Sequence, residues 1–213
     1  MLKKIKDIII KNKKWILLFV CLLIFIKLTQ DVFGKEILRV DELAYKYIVE
    51  KLRTDSLTII MKFITNFGDA ITLACLTIVS LIIFKNKNIK ICIFTNVLFV
   101  TALNIIIKNI MKRPRPDGFR IVSETGYSFP SGHSMVSTAF YGLLIYFAYK
   151  YIKNKKLKYT ICTLLGILIV SICISRVYLG VHYGSDVIAG FVLSTAYLIG
   201  FTEIIPKILE LSK

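Results

Sequence analysis

Only 4 prolines and 11 glycines occur in 213 residues, which excludes a collagen-like or low-complexity chain. Acidic residues are also scarce, 13 against 29 Lys and Arg, leaving a net charge of +16. In a soluble protein that imbalance would suggest nucleic acid. Here the basic residues cluster between apolar runs, so the charge reads as membrane topology and contact with anionic membrane lipids, and no nucleic-acid partner is expected. The five cysteines (Cys21, Cys75, Cys92, Cys162, Cys173) form no CxxC pair and fall in or at the edge of apolar runs. That spacing supports neither a disulfide framework nor a metal site, and the thiols read as small buried hydrophobes. No internal repeat is visible, and with it goes the paired-half organisation of many transporters.

Apolar residues are abundant. They make up 56% of the chain, above the roughly 45–50% of soluble domains. Six apolar stretches, at about 15–33, 57–84, 91–108, 134–152, 159–178 and 185–205, approach the ~20 residues that cross a bilayer core as a helix. The expected fold is all-α: a polytopic membrane bundle of six transmembrane helices in a single domain, residues 1–213. In the first stretch Lys27 interrupts the run but is placed to snorkel to the interface, and no small-x-small cleavage site follows it, so an uncleaved helix is expected. The second would be about 42 Å long as a straight helix, so it must tilt or break near Asn66-Phe67-Gly68-Asp69. Asp69 is then either a functional carboxylate at membrane depth or the cap of a polar turn. Lys62 just upstream favours the turn.

Between the first two stretches, Glu36–Arg53 has helical periodicity. Ile37, Val40, Ala44, Tyr47, Ile48 and Leu52 share one broad face, while Arg39, Glu42, Lys46, Glu50 and Arg53 occupy the other. Asp41 and Lys51 interrupt the apolar face. The segment reads as an amphipathic helix on the membrane surface, about 36–53. Residues 3–14, 85–90 and 150–158 together carry fourteen lysines against one acid, Asp7. By the positive-inside rule these segments and both termini face the cytoplasm, and the loop 109–133 and turn 179–184 face outward in a multi-pass cell-membrane protein.

Those two outward segments hold most of the chemistry, including the only two histidines, His133 and His182. Each feature has a plain reading by itself: Lys108 as an interface lysine, Arg-Pro-Arg-Pro as a helix stop, Pro-Ser-Gly-His as a helix start capped near Ser131, and His182 with Asp186 as a polar contact on one helical face. Arg176, beside an apolar run, needs a partner. Taken together they converge on one ligand. Lys108, Arg115 and Arg176 are three cations suited to phosphate oxygens, and a helix beginning at Ser131–His133 offers free N–H groups to an anion. Two histidines beside such a pocket are what metal-free phosphoryl transfer needs, one to attack phosphorus and one to protonate the leaving oxygen. No carboxylate cluster suited to a metal pair is present, and no metal or cofactor is expected.

Lys-x6-Arg-Pro (Lys108 to Pro116), Pro-Ser-Gly-His (Pro130 to His133) and Ser-Arg-x5-His-x3-Asp (Ser175 to Asp186) resemble the three-part signature of the type 2 phosphatidic acid phosphatases. That family shares a superfamily with bacterial acid phosphatases and vanadium haloperoxidases. The motif-bearing core is 108–186. The resemblance implies that His182 is the nucleophile forming a phosphohistidine, oriented by Asp186, and that His133 is the general acid. Lys108, Arg115, Ser131, Gly132 and Arg176 would bind the phosphate. It also implies a metal-independent lipid phosphatase acting on a lipid phosphate or diphosphate, and on that reading the amphipathic segment 36–53 would form part of the lipid's entrance. The lean, Ile- and Lys-rich chain suggests a bacterial source, for which undecaprenyl diphosphate is the favoured substrate, with phosphatidylglycerophosphate and phosphatidic acid as alternatives. A lipid phosphotransferase using the same intermediate, and a non-catalytic anion transporter, stay open.

Overall fold

A computed structural model describes residues 2–34 and 37–209, with side chains from residue 12 onward. Glu36 and the side chains at 3–11 therefore lie outside the described residues, although the sequence assigned roles to both. Eight α-helices are present among the described residues, with no strand: α1 (Leu2–Phe33), α2 (Arg39–Ala44), α3 (Asp55–Thr65), α4 (Ala70–Ile83), α5 (Lys87–Met111), α6 (Gly132–Tyr151), α7 (Lys155–Tyr178) and α8 (Gly184–Ile208). Most starts are locally encoded. The side chains of Thr54, Asp69, Asn86, Ser131 and Asn154 each accept a backbone N–H from the first turn of the helix they precede.

Four segments are long and apolar enough to cross a membrane: Asn12–Phe33, Lys87–Met111, Lys155–Tyr178 and Gly184–Ile208. The pair α3–α4 makes a fifth if counted as one span, bent by 52°. The break falls where the sequence placed it. Asn66–Gly68 form one 3₁₀ turn, and Asp69 caps α4 by accepting from Ile71 N–H at 3.1 Å. Asp69 is thus the cap of a polar turn. Gly68 is required there, because a Cβ would lie 2.6 Å from Ile172 and 3.1 Å from His133. In α1, Lys27 pairs with Asp31 one turn on, at 2.6 Å, while its side chain stays exposed.

Helix α6 sits in the middle of the bundle, packed against α5, α7 and α8, and α1 lies along α8. Because it faces protein on most sides, α6 carries small polar residues inward: Ser134, Ser137 and Thr138 are all buried. The core continues through Phe140, Tyr141, Leu143 and Phe147 to Ile93 of α5 and Ile172 of α7. On the outer faces of α1, α4, α5 and α7, large side chains such as Phe19, Ile82, Phe99 and Leu164 stay exposed, as a lipid-facing surface requires.

The amphipathic segment is helical from Arg39, as α2 followed by a π-helical stretch, Tyr45–Glu50. Its buried face is rotated from the one the periodicity suggested. Asp41 and Val49 are buried, whereas Ile37, Tyr47 and Leu52 are exposed. Widening to a π-turn shifts the residues after Ala44 relative to a 3.6 period. Arg53, assigned to the polar face, instead turns inward and donates to the carbonyls of Tyr178 and Phe119, each at 2.9 Å.

Candidate active site

All eight residues singled out from the sequence lie at one end of the bundle. Helix α5 delivers Lys108 in its last turn and stops at Lys112, which adopts a left-handed conformation (φ 47°). The chain then runs through Arg113 and Arg115 and returns to Ser131, the N-cap of α6. From the other side α7 brings Arg176, the turn 179–183 brings His182, and the first turn of α8 brings Asp186. Two backbone bonds knit these pieces together: Ile121 N–H donates to Leu179 at 2.9 Å, and Ser131 N–H donates to the Asp186 carbonyl at 3.0 Å.

His182 is buried, with Nδ1 3.4 Å from Asp186 Oδ2 and Nε2 3.1 Å from Arg115 Nη1. A carboxylate on Nδ1 selects the tautomer with its proton there, leaving the Nε2 lone pair toward Arg115 and the cavity. Burial foremost, and then the positive charges of Arg176, Arg115 and Lys108, hold this imidazole well below its usual 6.5. At neutral pH it is therefore uncharged.

The cations are held by carbonyls, a threonine hydroxyl and one acid. Arg115 donates to the carbonyls of Gly126, Val181 and Thr125 at 3.1, 3.0 and 2.9 Å. Arg176, almost fully buried, donates Nη1 to Thr65 Oγ1 at 2.6 Å and pairs Nη2 with Glu124. Its Nε is buried with no hydrogen-bond partner among the described residues. Lys108 donates to the Tyr127 carbonyl. Gly132 is fitted closely: a Cβ would stand 3.1 Å from Asn104 Oδ1.

A cavity of about 690 Å³ opens on this cluster. Lys108, Arg115, Glu124, Gly132, His133 and His182 line its polar end. It continues as an apolar groove between α4 (Leu73, Thr77, Ile78, Leu81) and α5 (Phe94, Val97, Leu98, Thr101). Among the described residues, none of the amphipathic segment lines it, so the expectation that 36–53 forms part of the entrance is corrected. Val40, Ala44 and Ile48 instead close a separate, wholly apolar pocket against α7 and α8. The reason is the inward rotation of that segment toward α8.

Three polar residues were missed. Glu124 stands between the two arginines, 3.8 Å from Arg115 and paired with Arg176. Arg113 donates Nη1 to Asp186 Oδ1 at 2.6 Å and to Ser185 Oγ at 2.7 Å, and Nη2 to Asp41 Oδ2 at 2.9 Å. Asp41 was visible as an acid breaking an apolar face, which is itself the mark of a carboxylate buried with a partner. For Glu124 no such pattern exists, since it lies in an irregular loop.

Among the described residues, no group of three or more His, Cys, Asp or Glu side chains is placed to hold a metal ion. Fold and site together define a polytopic membrane helical bundle of the phosphatase class, with two histidines set among cations at one end. The chain belongs to the PAP2 superfamily, whose family model matches residues 89–210. Phosphatidylglycerophosphatase B of Bacillus subtilis is 44% identical over 95 residues, which span 43% of this chain and 45% of that protein. An undecaprenyl-diphosphatase of Sulfolobus acidocaldarius is 30% identical over 193 residues, 85% of each chain. A crystal structure of a transmembrane PAP2-type phosphatidylglycerolphosphate phosphatase from Bacillus subtilis superposes with a TM-score of 0.77 at 28% identity, covering 92% of this chain and 98% of that one.

Proposed function

We propose that this protein hydrolyses the terminal phosphate of a long-chain membrane lipid through a phosphohistidine on His182. One observation carries the reading: a single cavity has both histidines, Lys108 and Arg115 at its polar end and an apolar groove between α4 and α5 at the other. The groove suits a lipid tail and the polar end a phosphate. In the first step, His182 Nε2 attacks phosphorus in line with the ester or anhydride oxygen. Asp186 steadies the positive charge that develops on the ring. His133, across the same cavity, takes up a proton from solvent as the anionic phosphate enters, donates it to the leaving oxygen and then takes one from the water that releases phosphate. Lys108, Arg115, Arg176 and the start of α6 at Ser131–Gly132 stabilise the phosphoryl oxygens in the transition state. Arg176 lies behind the cavity lining and acts through the positive potential it adds beside Arg115 and Lys108.

Undecaprenyl diphosphate remains the favoured substrate, supported by the relative that matches along 85% of the chain. The second reading, phosphatidylglycerophosphate, is favoured by the 44% identical segment. The membrane arrangement belongs to the same proposal. With α6 counted as a span and α3–α4 as another, the bundle has six crossings, and the lysine-rich end opposite the site faces the cytoplasm.

The deciding experiment measures phosphate release by detergent-purified protein from both lipids and phosphatidic acid, with chelator present, beside His182→Ala. The expected result is chelator-resistant release that falls by at least about a thousandfold in the variant, with an acid-labile phosphoprotein trapped only in the wild type. Release that persists in His182→Ala refutes the phosphohistidine route. A wild type releasing nothing but forming a phosphorylated acceptor lipid would make the protein a phosphotransferase.

A further inference from the structure

Behind the His182–Asp186 pair runs a second layer of charge that ends on the amphipathic segment. Asp186 uses its two oxygens differently: Oδ2 faces His182 Nδ1 and accepts Tyr183 N–H at 2.9 Å, while Oδ1 is taken by Arg113 Nη1 at 2.6 Å. Arg113 lies 4.1 Å over the Tyr183 ring and reaches Asp41 with its other terminal nitrogen. Asp41, in turn, accepts Ser185 N–H on Oδ1 at 2.8 Å and Leu38 N–H on Oδ2 at 3.2 Å. All three charged side chains are buried. One planar guanidinium therefore spans two carboxylates that are 145 positions apart in the chain, and Asp41 is locked to the same helix start that carries Asp186.

We infer that Asp41 and Arg113 are positioning residues for the phosphohistidine chemistry: Arg113 fixes which oxygen Asp186 shows to His182, and Asp41 offsets the charge of Arg113 so that Asp186 keeps its full effect on the imidazole. The inference rests on His182 being the nucleophile. Its physical basis is the low dielectric of a buried site. A lone Arg113 cation 2.6 Å from Asp186 would draw off much of the negative potential the imidazolium needs, and a second carboxylate restores it. Arginine is required because a lysine cannot hold Asp186, Ser185 and Asp41 in one plane. Asp41 also makes α2 a structural part of the active site, although it never touches the cavity.

The test uses Asp41→Asn, which keeps an acceptor for Ser185 N–H and removes the charge, in detergent-purified full-length protein with a short-chain soluble phosphatidic acid. The groups facing the His182 ring are Lys108, Arg115, Glu124, His133, Arg176 and Asp186, and all stay in place in this variant. The expected result is a fall of about tenfold in kcat with KM within about twofold. The uncompensated Arg113 charge raises the positive potential at His182, so the acid limb of phosphohistidine formation moves to lower pH. In an Asp186→Asn background, Asp41→Asn should cost nothing further in kcat. Arg113→Lys, which keeps the charge without the fork, should fall between wild type and Arg113→Ala.

Wild-type kcat and pH profile in Asp41→Asn would overturn the inference. So would an equal further loss on top of Asp186→Asn, or a loss that follows thermal stability alone. If His182→Ala remains active, the nucleophile assignment has failed instead, and the two failures are told apart by that control.

Discussion

At the residue scale, the main contrast is between two chemically similar histidines held in different surroundings. His182 has a carboxylate on one ring nitrogen and cations on the other side, and it is buried. His133 lies in the first turn of α6 and borders the cavity, with no carboxylate hydrogen-bonded to its ring among the described residues. Substituting Asp186→Asn should therefore reduce phosphohistidine formation by roughly a hundredfold or more while leaving substrate binding near normal, measured by rapid quench and by KM. Arg115→Gln should act on pH dependence in a stated direction. Its charge is among those that lower His182, so its removal lets the imidazole hold a proton more readily. The acid limb of kcat/KM then moves to higher pH, opposite to the shift expected for Asp41→Asn. An unmoved limb in a pH series from 4 to 8 would show that burial alone sets the nucleophile's ionisation.

Among the elements, close approach between helices decides whether the three motifs meet. Gly190 in α8 faces the start of α6. A Cβ there would lie 2.7 Å from the Ser131 carbonyl and 3.2 Å from Ser134 Cβ. Gly190→Ala must push α8 away from α6 and stretch the bond between Ser131 N–H and the Asp186 carbonyl. A stability loss of about 1–3 kcal/mol is expected from this overpacking, read as a lower Tm in detergent, together with a lower kcat. The same substitution at Gly166, where a Cβ meets nothing within 4 Å, is the control and should leave both unchanged. α2 illustrates another side of this scale. It is only six residues long and has no side-chain cap from Leu38, so it depends on Asp41 and on packing against α8 for its place.

For the whole molecule, the groove between α4 and α5 predicts chain-length discrimination. Thr101→Trp should fill it and reduce turnover of a long-chain lipid phosphate several-fold more than that of a short soluble one. Val40→Ser with Ile48→Ser, outside the cavity, should show no such preference. Equal losses on both substrates for Thr101→Trp would mean the tail lies elsewhere. Orientation is tested with single cysteines in a cysteine-free background. Asp117→Cys, at the site end and highly exposed, should react with an impermeant thiol reagent on intact cells, and Asn154→Cys should not. The reverse pattern would place the site in the cytoplasm.

Much of this protein was legible in one dimension because its governing patterns are local. Apolar run lengths mark spans, a Gly-Asp turn marks the break in the second one, and Asn, Asp, Ser and Thr mark helix starts. The eight motif residues carry fixed spacings that matched the family's signature before any geometry was known. What only the tertiary structure decided is which polar groups become partners across long separations. Asp41 with Arg113, Glu124 with Arg176, and the choice of α4 and α5 over the amphipathic segment as the groove walls all depend on how helices rotate against each other. That rotation is set by summed packing in a crowded interior, where a π-turn or a missing Cβ redirects a face by a fraction of a helical turn. A periodicity read from sequence reports which residues share a side, but the buried side is chosen by the neighbours.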